Sequence, residues 1–178
     1  VWAHVVCVFL FQAENGIRGA QESRGLGDVY KRQTLVSGWM TPTITCSDTD
    51  STGSGYFATY RIAVGEWVTC TFTNARRASL TVDKAVVPSP NSTLFRFDYP
   101  GMVMNIGESD VVTLNNLAPG THRVTETVTS GWQLAGLSCS DANSYLSGTT
   151  AVYQLEPGEH VTCTFTNEQL STITVLKA

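Results

Sequence analysis

The chain has 178 residues and a formal net charge of −4, and 15% of its residues are charged, against roughly 25% in ordinary soluble domains. That length holds one ordinary domain with further pieces beside it. With no cluster of Lys or Arg beyond Arg76-Arg77, there is no electrostatic footprint for nucleic acid or an anionic membrane surface, and neither is expected as a partner.

In chain order, the first apolar run is Val1 to Phe11. It is roughly half the length a membrane span requires. It also lacks a preceding basic residue and a following small-x-small cleavage pattern, so it does not read as a signal peptide. The next residues, Phe11-Gln12-Ala13-Glu14-Asn15-Gly16-Ile17-Arg18 and Ala20 through Gln33, resemble a translated sequencing-adapter read-through. Residues 1–33 are therefore expected to be non-native and disordered, in a metagenomic fragment whose natural protein extends at both ends.

From Thr34 the chain repeats itself. A shift of 93 residues aligns 34–77 with 127–170 without a gap, with 21 of 44 positions identical, where about two or three would match by chance at ordinary residue frequencies. The longest match is Val68-Thr69-Cys70-Thr71-Phe72-Thr73-Asn74 with Val161-Thr162-Cys163-Thr164-Phe165-Thr166-Asn167. The same shift carries Leu80-Thr81-Val82-Asp83-Lys84-Ala85 onto Ile173-Thr174-Val175-Leu176-Lys177-Ala178. The expected organisation is the C-terminal half of one repeat (34–77), one complete repeat (78–170) and the first strand of another (171–178).

Within the complete repeat, short runs of period two predict strands at 79–86, 93–99, 110–115, 121–129, 133–140, 149–155 and 160–167. Turn signals separate them, among them Pro88-Ser89-Pro90-Asn91, Asn105-Ile106-Gly107, Ala118-Pro119-Gly120 and Glu156-Pro157-Gly158. No helical periodicity is sustained. The fold class is all-β: an antiparallel immunoglobulin-like or prealbumin-like sandwich in tandem repeats.

Four cysteines fall into two pairs at one spacing, Cys46 with Cys70 and Cys139 with Cys163. No C-x-x-C or Cys/His cluster suits a metal. A disulfide within each unit is the preferred reading over free buried thiols, and it implies an oxidising, extracytoplasmic location.

Strand parity carries the remaining chemistry. Leu80, Val82 and Lys84 share one face, as do Val124, Glu126 and Val128, and Cys163, Phe165 and Asn167. Each strand thus turns one polar side chain towards an apolar core, where an unpaired charge is costly. These segments, with Leu114-Asn115-Asn116-Leu117-Ala118-Pro119-Gly120 and Gly131-Trp132 between them, resemble the prealbumin-like repeats of SpaA-type pilins and Cna B-type domains. The resemblance implies an intramolecular isopeptide bond between Lys84 and Asn167, with Glu126 as the acid that shuttles protons. Parity alone permits that geometry. It equally permits a Lys84 that snorkels to solvent beside a paired Glu126, with Asn167 capping a sheet edge.

Other signals are weaker. Asp48-Thr49-Asp50-Ser51-Thr52-Gly53 begins like a calcium loop, but its twelfth position is Thr59 and not Glu. Asn91-Ser92-Thr93 satisfies a glycosylation sequon. His122 and His160 assemble no hydrolytic triad, and Trp39 and Trp132 read as packing before sugar platforms. No metal or cofactor is expected. The expected function is a structural stalk or spacer repeat of a bacterial cell-surface or secreted adhesin-like protein. It would not be an enzyme beyond one autocatalytic turnover, and its partners would be neighbouring repeats and a surface ligand. The alternatives are a carbohydrate- or host-protein-binding module acting through loops around 101–109 and 141–149, and an accessory module of an extracellular enzyme.

Overall fold

The computed structural model describes residues 3–8 and 29–177. They form fifteen strands, and the chain divides into two compact units between Arg76 and Arg77. Among the described residues no helix is long and apolar enough to cross a membrane, which says nothing of barrels.

The second unit is a two-sheet sandwich. Its strands are β7 (Ala78–Val87), β8 (Phe95–Tyr99), β9 (Met102–Ile106), β10 (Val111–Leu117), β11 (Gly120–Thr127), β12 (Trp132–Cys139), β13 (Tyr145–Ser147), β14 (Thr150–Leu155) and β15 (His160–Gln169). One sheet runs β10-β7-β15-β12 and the other β13-β14-β11-β8-β9. The seven strands read from period two all lie where strands form. Two more, β9 and β13, occupy the segments read as loops around 101–109 and 141–149. In β9 the alternation is broken because Met102 and Val103 are both exposed and only Met104 and Ile106 turn inward, so the period-two signal spans three positions.

All neighbouring strands are antiparallel except β7 and β15, which run parallel with Leu80 opposite Val161 and Lys84 opposite Phe165. First and last strands therefore point the same way, so the chain enters this unit at one end and leaves at the other. The core collects the alternate residues of both sheets. Leu80, Val82, Phe95, Phe97, Ile106, Val124, Tyr153, Val161 and Phe165 are all fully buried, and Phe97 meets Phe165 edge-on at 4.9 Å, a favoured aromatic geometry. β11 ends at Thr127, so Val128 leaves the predicted inward face and is exposed.

The first unit contains β1 (Ala3–Val8), β2 (Val29–Arg32), β3 (Thr43–Cys46), β4 (Thr52–Ser54), β5 (Phe57–Tyr60) and β6 (Thr69–Asn74), in sheets β1-β6-β3 and β2-β5-β4. Its core is small: Ala58, Tyr60, Val68, Cys70 and Phe72. Gly38 and Gly131, one repeat apart, both take φ of +81°, a left-handed turn that admits glycine without steric cost and that leads into Trp39 and Trp132.

Within the segment expected to be disordered, 3–8 and 29–32 are paired strands, and 9–28 lie outside the described residues. β2 pairs with β5 from Val29 opposite Tyr60 to Arg32 opposite Phe57. A shift of 93 places those pairs on His122 opposite Tyr153 through Thr125 opposite Thr150 in β11 and β14. An open edge of unpaired N–H and C=O groups on β5 accepts a strand of almost any composition, so backbone pairing there does not require a native side-chain pattern. Residues 171–177 form no strand and are exposed.

Candidate functional site

Lys84, Glu126 and Asn167 come from the three strands that parity singled out, β7, β11 and β15, and they meet in the second unit's core. Each is at most 2% exposed. Lys84 Nζ donates to Asn167 Oδ1 at 2.9 Å, to Phe165 O at 3.1 Å and to Ala85 O at 2.6 Å. Asn167 Nδ2 donates to Glu126 Oε1 at 2.5 Å. The carboxamide thus lies between the amine and the acid, its oxygen towards the amine and its nitrogen towards the carboxyl. Lys84 does not snorkel out, and Asn167 caps no edge.

Burial dominates the electrostatics. It pushes the Lys84 ammonium down to about 8, against the opposing pull of the Glu126 and Asp83 charges. It raises Glu126 above the usual carboxylate range, opposed by Lys84 and by the Asn167 hydrogen bond. Both shifts favour the uncharged pair, amine and carboxylic acid. Glu126 Oε2 is buried without a hydrogen-bond partner among the described residues, which suits an oxygen that carries a proton more than one that carries charge.

The sequence reading missed the aromatic floor of this site. Lys84 Nζ stands 4.3 Å from the centroid of the Phe95 ring, and Phe95 meets Trp132 edge-on at 5.3 Å. The inward parity of Phe95 and Phe97 on β8 was the available signal. Trp132 is 5% exposed and serves as packing. In the first unit the acid position is held by Gln33, whose Nε2 donates to Asn74 Oδ1 at 2.8 Å.

Both expected disulfides are formed, Cys46–Cys70 and Cys139–Cys163. Each lies directly across an antiparallel pair, β3 with β6 and β12 with β15.

The remaining candidates have local roles. Asp48 Oδ2 accepts from Ser51 N at 3.1 Å and Asp141 Oδ2 from Ser144 N at 3.2 Å, so the calcium-like loop is a turn in both units. Glu66 joins Asp48 and Asp50, with one carboxylate oxygen from each within 4.8 Å of the others. Asn91 Oδ1 accepts from Thr93 N at 2.8 Å, folding the sequon into a local turn. Tyr99 OH lies 2.8 Å from His122 Nδ1. His160 Nδ1 lies 2.7 Å from Ser79 Oγ, a Ser–His contact that sequence reasoning missed because the two stand 81 residues apart. The ring's other nitrogen faces the hydroxyls of Thr81 and Thr162, and no carboxylate is bonded there to complete a triad.

A nine-stranded, two-sheet sandwich with its first and last strands paired in parallel, and with Lys, Glu and Asn inside, is a prealbumin-like domain. The SpaA-type model described as a prealbumin-like fold domain matches residues 80–169, and the chain belongs to that family. Among solved structures, it resembles the minor pilin GBS52 of Streptococcus agalactiae (14% identity, 58% of this chain and 49% of that one, TM-score 0.39). It also resembles an adhesin of Mobiluncus mulieris described as containing intramolecular disulfide, isopeptide and ester bond cross-links (16% identity, 67% and 46%, TM-score 0.40). A third likeness is the major pilin T-13 of Streptococcus pyogenes (14% identity, 82% and 68%, TM-score 0.39). The chain spans about half the length of the first two. No curated protein matches it.

Proposed function

We propose that this chain is a structural repeat segment of a bacterial cell-surface or secreted adhesin-like protein, a stalk or spacer whose complete unit is closed by a disulfide and by a Lys84–Asn167 isopeptide bond. The observation that carries this reading is the buried line of amine, carboxamide and carboxyl, with Nζ at 2.9 Å from Asn167 Oδ1 and Nδ2 at 2.5 Å from Glu126. In the reaction Glu126 takes one proton from the Lys84 ammonium, and the neutral amine attacks Asn167 Cγ. The Nζ–Cγ bond forms, the Cγ–Nδ2 bond breaks, and Nδ2 leaves as ammonia after Glu126 has relayed to it a proton from Nζ. The chemistry happens once per domain, so the protein is not an enzyme in the turnover sense.

Two disulfides support an oxidising location outside the cytoplasm. The entry and exit of the chain at opposite ends of the second unit support a spacer role, since such units string together without doubling back. Intact-mass measurement of the purified protein tests the bond. A mass lower than the disulfide-bonded sequence mass by one ammonia, about 17 Da on the stoichiometry of this step, is expected, with the deficit absent in Glu126→Ala. An undiminished mass would sink the cross-link and leave only the disulfide.

A further inference from the structure

The first unit contains a cavity of about 240 Å³ lined by Gln33, Trp39, Met40, Tyr56 and Asn74, among others. One repeat on, three of these are Glu126, Trp132 and Asn167, the residues that Lys84 and Phe95 cover in the second unit. Trp39 is accordingly half-buried where Trp132 is buried. Among the described residues, no strand brings a lysine to Asn74. The cavity is the space of a missing first strand.

A strand of the matching pattern lies unused in the same chain. Ile173, Val175 and Lys177 stand one repeat beyond Leu80, Val82 and Lys84. Ile173 and Val175 are 89% and 87% exposed, with Leu176 at 89%, an apolar run that costs free energy in water. The 178 residues hold no later strands for it to pair with. We propose that residues 171–177 of one copy add to the first unit of a second copy as its first strand, joining chains head to tail. In the register of β7 on β15, Ile173 falls opposite Val68, Val175 opposite Cys70 and Lys177 opposite Phe72, all three acceptor residues being buried. Lys177 then points towards Asn74 as Lys84 does towards Asn167. The association is non-covalent, because Gln33 offers an amide where Glu126 offers an acid. β1 lies along this edge of β6 in the opposite direction, so donation exchanges it for a parallel strand. Donor and acceptor are different surfaces, so the contact does not close on itself, and open oligomers follow.

The inference stands independently of the Lys84–Asn167 bond, whose mass test reads the other unit. Light scattering on the full chain over a concentration series tests it beside the Ile173→Asp/Val175→Asp variant, whose changes lie in an exposed, unpaired segment. The expected result is a mass average that climbs past the dimer, with the half-association concentration at least about tenfold higher in the variant. A labelled synthetic peptide of residues 171–178 is expected to bind the variant and to dissociate the parent oligomer. A chain that stays monomeric throughout, equal association by the variant, or no peptide binding each overturns the proposal.

Discussion

The two units share a disulfide hairpin and differ in what faces it. In both, a Cys-Ser-Asp strand end is bonded to a Val-Thr-Cys-Thr-Phe-Thr-Asn strand, with the same cross-strand register at the cysteines. In the second unit that hairpin packs on Phe95, Phe97 and Lys84. In the first, Phe72 and Trp39 have no such partners among the described residues, and the buried cluster shrinks to five residues. The hairpin is thus a module that the disulfide holds in shape, whereas the sandwich depends on aromatic residues carried by β8. Covalent and packing contributions can be separated within one molecule.

The largest expected effect separates them at the core. Phe97→Ala removes the edge-on partner of Phe165 and is expected to destabilise the second unit by about 3–5 kcal/mol. The first unit's transition should stay where it is. Denaturant unfolding followed by probes placed in each unit checks this, and a shift of both transitions together would show that the units do not unfold independently.

Next comes the disulfide. Cys46→Ser/Cys70→Ser and Cys139→Ser/Cys163→Ser each release a loop of 24 residues, a loss of about 3 kcal/mol on the chain-entropy account. Equal costs are expected to have unequal consequences. The first unit, with its small core, should lose protection from hydrogen exchange altogether, while the second keeps the sandwich signature. Protection retained in both would mean that the first unit's core holds more than its buried residues suggest.

This asymmetry also explains what was legible beforehand. The cysteine spacing, the repeat and the inward parity of Lys84, Glu126 and Asn167 are linear signals, and the structure brings those residues together. β9 and β13 were not legible, because an edge strand with exposed Met102 and Val103, or one of three residues such as Tyr145–Ser147, buries too little to leave an alternating trace. Val128 was misassigned because parity continues in sequence while the strand stops at Thr127. Phe95 beneath the Lys84 amine and Ser79 beside His160 depend on strand order, and the parallel β7·β15 pair is not encoded locally.

Titration distinguishes a linked from an unlinked site. In Glu126→Gln the cross-link is expected to be absent and Lys84 to remain a buried amine, with a folded value at or below about 8, since the Glu126 charge that raised it is gone. Between there and the model-compound value of 10.5 the unfolded chain binds more protons than the folded one, so stability rises with pH, by about 2 kcal/mol across the window. In the linked parent, Lys84 is an amide and does not titrate, and that rise should be missing. Tyr153, raised by burial, lowers stability at the alkaline end in both proteins and cancels in the difference. Chemical denaturation from pH 7 to 10.5 on both proteins reads this, and identical slopes would count against the bond.

The smallest effect is the one expected to be equal in both units. Ser47 Oγ accepts from Thr69 N at 2.9 Å, and Ser140 Oγ accepts from Thr162 N at 3.0 Å. In each case the serine's own N donates back to the threonine carbonyl at 2.8 Å. The pair locks the chain just beyond the disulfide, on the hairpin and away from the aromatic floor, so its contribution does not depend on which core lies beneath. Ser47→Ala and Ser140→Ala should each cost about 1 kcal/mol in their own unit's transition. A markedly larger loss at Ser140 would mean that the sandwich reaches into the hairpin and that the two copies are not the same module in different surroundings.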